Sequence, residues 1–502
     1  MARRGNRTRP APPPQPIVTP PPPGGSYRPL SDLDRDRIVD HAFEMLEDVG
    51  MADAPDRYAE LLIGAGASRR DDGRIRLPRP MVEAALERAP STVELPGFVH
   101  DRGVSIGGQG VHIGTGGAAV QVLDAATGTY RDSLLRDLWS MMRVVDELPN
   151  IHYGLRPLVA RDLADPLELD LNTAFAVTAA TAKPTGVSFT SAATVDPVVD
   201  LFDMMLGGEG RFASQPFSMA VIVHVVPPLR FSPEGCEIME RAIERGMIVQ
   251  TCSAGQAGAT SPPSLAGSLA QGLAEILAGV VLADVIKPGH PCIHAFMPFV
   301  SDLRTGAMTG GSGEAAVVSA AAAQLLRDLD IPHAVSAGIT ESKTADSQAG
   351  YEKSYTVTLS AQAGADMVQL SVGMLGSIMV ASPEILVIDS DMCGAILRSV
   401  RGVEVDPSYL DLAIIEEVVG GEGHYLGSPQ TLELMRSEYV YPDLGDRQSV
   451  AEWVSAGEPS IWDAAAGRVA EILAAGRPGH LTTTNETAAR AAFPIQLAEA
   501  ET

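Results

Sequence analysis

Between residues 101 and 393 the chain alternates eight times between a short β-like run and a stretch with helical character, often rich in alanine. The runs are VHIGTGGAAVQVLD, NIHYGLRPLV, PTGVSFTS, FSMAVIVHVV, MIVQTCSAG, PCIHAFMPFV, PHAVSAGI and ADMVQLSVG. Most read as continuously apolar, as parallel strands buried on both faces do. Their spacing of roughly 30 to 45 residues suits successive βα units. Eight such units predict an α/β chain built as a (β/α)8 TIM barrel, with working residues at the carboxyl ends of the strands. An open doubly wound sheet is the structural competitor. No GxGxxG turn opens a helix after a strand, so a dinucleotide site has little support. The glycine-rich GTGGAA leads into VQVLD, a strand and not the helix a phosphate cradle needs. There is no P-loop, and no GxSxG elbow to support a serine hydrolase.

The flanks read differently. Residues 1–29 are a proline-rich arm, basic at its start, with nine prolines in the first 23 residues, a composition that stays extended and builds no core. It lacks the apolar core of a secretory signal. Residues 30–100 read as a helical region. Ser31 and Asp34 stand at N-cap and N3 spacing before Ile38, Ala42, Leu46 and Val49, and Gly50 closes the run. LPRPMVEAALERAP is a second helix. From 394 to 502 the chain returns to helices, expected to cap the barrel.

Of 502 residues, 45% are apolar and 20% charged, as in ordinary globular proteins. The formal charge of −26 argues against nucleic acid and favours a cationic ligand. Apolar stretches such as SMAVIVHVV are too short for a membrane span. Cys236, Cys252, Cys292 and Cys393 form no CxxC pair, which suggests a reducing compartment. A cytoplasmic protein is expected.

Polar residues gather after two adjacent strands. The sixth leads into FMPFVSDLRTGAMTGGSGEAA, with Asp302, Arg304 and Glu314. The seventh leads into SAGITESKTADSQAGYEK, with Glu341, Lys343, Asp346, Gln348, Tyr351 and Glu352. Any one of these could simply cap a helix; together, on the functional rim, they point to a site. Tyr153, Phe189, Phe296, Phe299 and Tyr351 fall near predicted strand ends, where aromatic faces attract quaternary ammonium groups. His224, His294 and His333 lie in apolar strands, where hydrogen-bonded core histidines are common. Cys252, Cys292 and His294 do not have the spacing of a zinc site, so no metal is expected.

These loops resemble the trimethylamine methyltransferase superfamily. The resemblance rests on DLRTGAMTGGSGE, ITESKTADSQAGYEK, VVGGEGHYLGSPQTLELMR and PDLGDRQSVAEW, with SYRPLS and GRIRLPRPMVEAALERAP near the start. It spans about residues 27–475. It implies a (β/α)8 barrel and methyl transfer from a methylated amine to the cobalt of a corrinoid (cobalamin) carried by a partner protein, with none bound tightly by this chain. The founding trimethylamine enzymes carry pyrrolysine in the barrel, whereas this chain has only the standard twenty residues. Members lacking pyrrolysine look like demethylases of quaternary amines such as glycine betaine, proline betaine or carnitine. A second departure is Gln430-Thr431, where the superfamily pattern has His-Thr.

Such a reaction asks for an aromatic and carboxylate cage around the cation, with donors for any substrate carboxylate. Phe296, Phe299, Tyr351 and Glu341 are the cage candidates; Arg304 and His333 are candidates for the carboxylate. Tyr153, Phe189, His294, Asp302, Asp346 and Gln348 are further candidates. The barrel rim should be a docking surface for the corrinoid protein, and the helical ends could supply a homo-oligomer interface. A non-catalytic betaine-binding barrel, or a metal-dependent methyltransferase or lyase, are the alternatives.

Overall fold

The computed structural model describes residues 20–498, apart from 109, 371 and 422. Most of the expected proline-rich arm, residues 1–19, lies outside that range. The strands His112–Ile113 (β1), Gly154–Leu155 (β2), Thr185–Val187 (β3), Ser218–Val223 (β4), Val249–Ser253 (β5), Cys292–Phe296 (β6), His333–Ser336 (β7) and Met367–Gln369 (β8) form one parallel sheet, ordered 1-8-7-6-5-4-3-2. A parallel bridge between Gly114 and Tyr153, with His152 N–H donating to the Ile113 carbonyl at 2.8 Å, joins β1 to β2 and closes the ring. The eight helices that follow the strands are Leu135–Glu147 (α1), Pro166–Ala180 (α2), Val195–Met205 (α3), Pro233–Glu244 (α4), Leu265–Ile286 (α5), Gly313–Asp328 (α6), Ser347–Ala363 (α7) and Pro383–Arg401 (α8). The chain is a (β/α)8 barrel, and each of the eight β-like runs supplies one strand.

Two runs contain a second strand outside the barrel sheet. VHIGTGGAAVQVLD leaves the barrel after Ile113. It bends at Gly116 and Gly117, whose φ angles of +156° and +121° few other residues adopt, and then forms Gln121–Asp124, part of a four-stranded rim sheet. PCIHAFMPFV breaks at Pro298, which has no N–H for the ladder. Phe299–Val300 then pairs in parallel with Gln256–Ala257 above β5 and β6.

Inside the ring, Leu155, Met219, Cys252, Ile293, Ala295, Ala334 and Met367 pack with Tyr153, and a hairpin of Val93–Leu95 and Val104–Ile106 plugs the amino end. Gly114 makes room for the Tyr153 ring: a Cβ there would stand 2.3 Å from Cε2. Helix α5 has the length and apolarity of a membrane span, though most of it is buried. It lies between the barrel and the N-terminal helices Asp32–Glu44 and Arg79–Arg88, an all-round apolar helix inside a folded core. The first of these helices is capped as its sequence predicts, with Ser31 accepting from Asp34 N–H at 3.2 Å.

At the C-terminus, Ile461–Ala474 packs on α8 and α1, and Thr483–Ala492 on α3. Between them and α8, the helices Leu412–Gly420, Pro429–Leu434 and Val450–Ser455 bury no residue. Of the expected cap, the last two helices pack on the barrel; the segment before them touches it through Glu438, Asp443, Leu444 and Gly445.

Candidate active site

The inner face of the barrel ends, at its carboxyl side, in Leu155, Val221, Val223, Cys252, Ala295, Met297, Ser336 and Gln369, by strand register. Only Cys252 among these is titratable, and burial pushes its thiol up to about 12, so it stays protonated and inert. Val223 is 52% exposed at the mouth and Val221 and Met297 are half-buried. Gln369 donates to the Met297 sulfur at 3.3 Å, and its buried carbonyl has no partner among the described residues.

The loops after β6 and β7 come together, as their polar clusters predict, and Glu341 clamps them. Its carboxylate accepts from Gly310 N–H at 2.7 Å, from Gly311 N–H at 3.2 Å and from the Thr309 hydroxyl at 3.2 Å. Behind it, Glu352 accepts from Thr340 Oγ1 at 2.5 Å, from Glu341 N–H at 2.9 Å and from Gln348 Nε2 at 2.9 Å. Tyr355 donates its hydroxyl to the Gly311 carbonyl. Glu341 remains half-buried, a carboxylate fixed by backbone donors at the edge of an apolar mouth. Below the loops, Lys353 reaches from α7 to Asp389 on α8 at 3.2 Å and donates to the Gly338 carbonyl at 2.8 Å. Asp389 in turn accepts from Gly373 N–H at 2.8 Å, so the loops after β7 and β8 share one buried ion pair.

Several of the other candidates lie away from the mouth. Phe296 is 1% exposed and turned outward, its ring where a Cβ on Gly272 of α5 would be. His294 also faces the helical layer. It shares a 2.9 Å hydrogen bond with Thr251, and burial, then the neighbouring His224 and His333, pushes it down to about 3. His333 begins β7 at the amino end and pairs with Asp366 at 3.0 Å, both buried. It cannot reach a substrate at the opposite end of the strands. Tyr153 fills the barrel interior and donates to the Val368 carbonyl at 3.0 Å. Arg304, with its side chain 88% exposed, pairs with Asp302 at 2.7 Å in the outer loop; that arginine pulls the Asp302 carboxyl down to about 2. Asp346 caps α7 by accepting from Ala349 N–H at 2.9 Å. Tyr351 is 58% exposed on that helix, Phe299 half-buried in the rim ladder, and Phe189 half-buried against the outer core.

One residue escaped the sequence reading. Arg156, at the carboxyl end of β2, lies half-buried near Asp170. It makes no side-chain hydrogen bond or ion pair among the described residues, and its Nε is buried without a partner. Burial lowers its pKa. Its signal in the sequence was only its place, a cation one residue past an apolar strand. The described cavities, of about 420 and 530 Å³, sit at the amino end around the hairpin plug and His112, the face of such a barrel that carries stability and not chemistry.

The family model described as trimethylamine methyltransferase (MTTB) matches residues 2–494. The chain is 28% identical over 434 residues to the glycine betaine methyltransferase of Desulfitobacterium hafniense (strain Y51), covering 85% of this chain and 88% of that one. It is 31% identical over 403 residues to the trimethylamine methyltransferase MttB2 of Methanosarcina mazei, covering 80% and 81%. Among solved structures, the monomethylamine methyltransferase of Methanosarcina barkeri matches with a TM-score of 0.47 at 12% identity, covering 89% and 95%. The chain is a methyltransferase and belongs to the trimethylamine methyltransferase (MTTB) family.

Proposed function

We propose that the protein takes a methyl group from a quaternary amine of the glycine betaine type and passes it to a corrinoid carried by a separate protein. The observation that carries this reading is the inner face at the mouth, where the one titratable side chain among the described residues, Cys252, is held protonated by burial. A quaternary nitrogen is already cationic, so losing a methyl group leaves a neutral tertiary amine and no proton has to move. A reaction that moves a proton calls for an acid or base at that place; this one does not.

When docked, the corrinoid supplies the methyl acceptor. The mouth fits such a group: Val223 faces solvent at the end of β4, and with Val221 and Met297 it offers an apolar floor that a docked macrocycle would cover. Water exclusion follows from that cover and strengthens the attraction of a cation to Glu341, whose position is fixed by three donors. Arg156 feels the Asp170 charge but makes no direct ion pair among the described residues, and its Nε is buried without a partner; a donor with a carboxylate would provide one. Pairing a desolvated N–H donor with a carboxylate offsets the cost of leaving it unsatisfied.

Isothermal titration with glycine betaine, proline betaine, carnitine and trimethylamine tests the reading. One quaternary amine should bind selectively, and Arg156→Met should weaken a carboxylated donor at least tenfold while leaving choline unaffected. Binding of trimethylamine alone, or of none of the four, would overturn it.

A further inference from the structure

Near its start, helix α7 turns one polar face toward the mouth. Gln348, Glu352 and Tyr355 stand at i, i+4 and i+7, so they share a side of the helix. Glu352 is the most deeply set of the three, at 6% exposed. Keeping a carboxylate out of water is costly unless hydrogen bonds offset the loss, so its partners show what the position is for. They are the backbone around Glu341. Glu352 Oε2 accepts from Glu341 N–H at 2.9 Å and from the Thr340 hydroxyl at 2.5 Å. That hydroxyl in turn accepts from Ser342 N–H at 3.0 Å. The turn that carries Glu341 is thus wound around one oxygen of Glu352, directly at 341 and through Thr340 at 342. The other oxygen accepts from Gln348 Nε2 at 2.9 Å, one helical turn away, which fixes how the carboxylate faces.

The loop that donates to Glu341 is built against the same side chain. A Cβ on Gly311 would stand 2.6 Å from Glu352 Cδ, and one on Gly310 would stand 2.3 Å from Ile339 Cγ2. A side chain at either position would drive this loop away from α7, and with it the two N–H groups that bond the Glu341 carboxylate. Tyr355 holds the loop from the same face by donating to the Gly311 carbonyl. The polar face of α7 therefore meets two loop segments. One carries Glu341 and the other donates to it.

We propose that Glu352 is a positioning residue for methyl transfer: it sets where the Glu341 carboxylate stands, and through that carboxylate how a cationic donor is aimed. The assignment rests on the reading that a quaternary amine binds beside Glu341. Glu352 acts here by its shape and its acceptor oxygens, so the isosteric amide should replace it. In Glu352→Gln the amide oxygen can accept both bonds that Oε2 now accepts, and Gln348 can rotate its own amide to meet the new N–H groups. In Glu352→Ala the Glu341 N–H and the Thr340 hydroxyl lose their acceptor. Thr340→Val removes only the link through the hydroxyl and leaves Glu352 in place.

Two readouts on the full chain test this. The first needs no ligand: amide exchange at Gly310 and Gly311, whose N–H groups report on the Glu341 carboxylate. It should quicken roughly tenfold in Glu352→Ala and Thr340→Val, and stay at the wild-type rate in Glu352→Gln. The second is the ratio of the dissociation constants of glycine betaine and 3,3-dimethylbutanoate, which has a carbon in place of the nitrogen and so the same shape without the positive charge. The wild type should prefer the betaine. Glu352→Ala and Thr340→Val should shrink that preference roughly tenfold or more, while Glu352→Gln keeps it. A helix–loop contact that served stability alone would lower the melting temperature and leave the ratio unmoved. An unmoved ratio, unchanged exchange in Glu352→Ala, or a Glu352→Gln variant as damaged as Glu352→Ala would each overturn the proposal. If the wild type binds neither ligand, or both alike, it is the quaternary-amine reading that fails. Exchange at Gly310 and Gly311 then decides by itself whether Glu352 positions Glu341.

Discussion

Gly114 and Tyr153 show how single residues set the barrel. The ring of Tyr153 occupies the space in which any side chain at 114 would stand, and its hydroxyl bonds the Val368 carbonyl across the lumen. Gly114→Ala should therefore cost about 1–3 kcal/mol by overpacking, read as a lower urea midpoint with unchanged slope; a change under 0.5 kcal/mol would contradict the packing described. His333 makes a pH-dependent prediction. Burial alone would lower its pKa, but the Asp366 charge and hydrogen bond outweigh burial and raise it. A base with a raised folded-state pKa contributes stability that is complete below its ordinary value of about 6.5 and is lost as pH rises through the folded value. Relative to the His333→Gln variant, the wild-type urea midpoint should fall from pH 6 to pH 8.5. An identical slope in the variant would remove His333 from the account. At this scale the sequence misleads most: His294, His333 and Phe296 remain site candidates beside their core reading because a strand's two faces both carry apolar neighbours in an α/β barrel. With both faces buried, alternation no longer tells lumen from helix layer.

Elements were more legible. All eight strands were visible as apolar runs, because a continuous β-branched stretch between helical segments has few other homes. Where a run turned out to be two elements, the break lay at Gly116–Gly117 or Pro298, residues that permit or force a bend. The meeting of the loops after β6 and β7 was also legible from their shared polarity, although their mutual satisfaction was not: donors in Thr309, Gly310 and Gly311 reach Glu341 only once strands six and seven are neighbours. Glu341→Ala should release this clamp and, by misplacing the mouth, lower kcat/KM roughly a hundredfold while the melting temperature moves by only a few degrees. Retained activity would make the clamp decorative. The α7–α8 connection is testable by a double-mutant cycle. Burial pushes the Asp389 carboxyl up even beside Lys353, so Lys353→Met alone should cost about 3–5 kcal/mol by stranding it. Lys353→Met with Asp389→Leu should recover most of that loss. Additive losses would show the two side chains to be uncoupled.

For the molecule as a whole, architecture and family were within reach of the sequence because both rest on repeated or extended patterns. Eight βα units bound the topology, and the matched region covers nearly the whole chain. What the residues could not show is that the helices between 402 and 460 bury no side chain against the barrel, since helical periodicity says that a face is apolar and not which surface covers it. The central claim is that this mouth, apolar on its inner face and edged by the Glu341 carboxylate, moves a methyl group from a quaternary amine. The most direct test is to incubate the purified protein with reduced cobalamin and each of glycine betaine, proline betaine, carnitine and trimethylamine, and to follow the visible spectrum of the corrinoid. Methylation of the corrinoid with one quaternary amine, in step with release of its demethylated product and absent with trimethylamine, is the predicted result; methylation from trimethylamine alone, or from none of the four, would contradict the account.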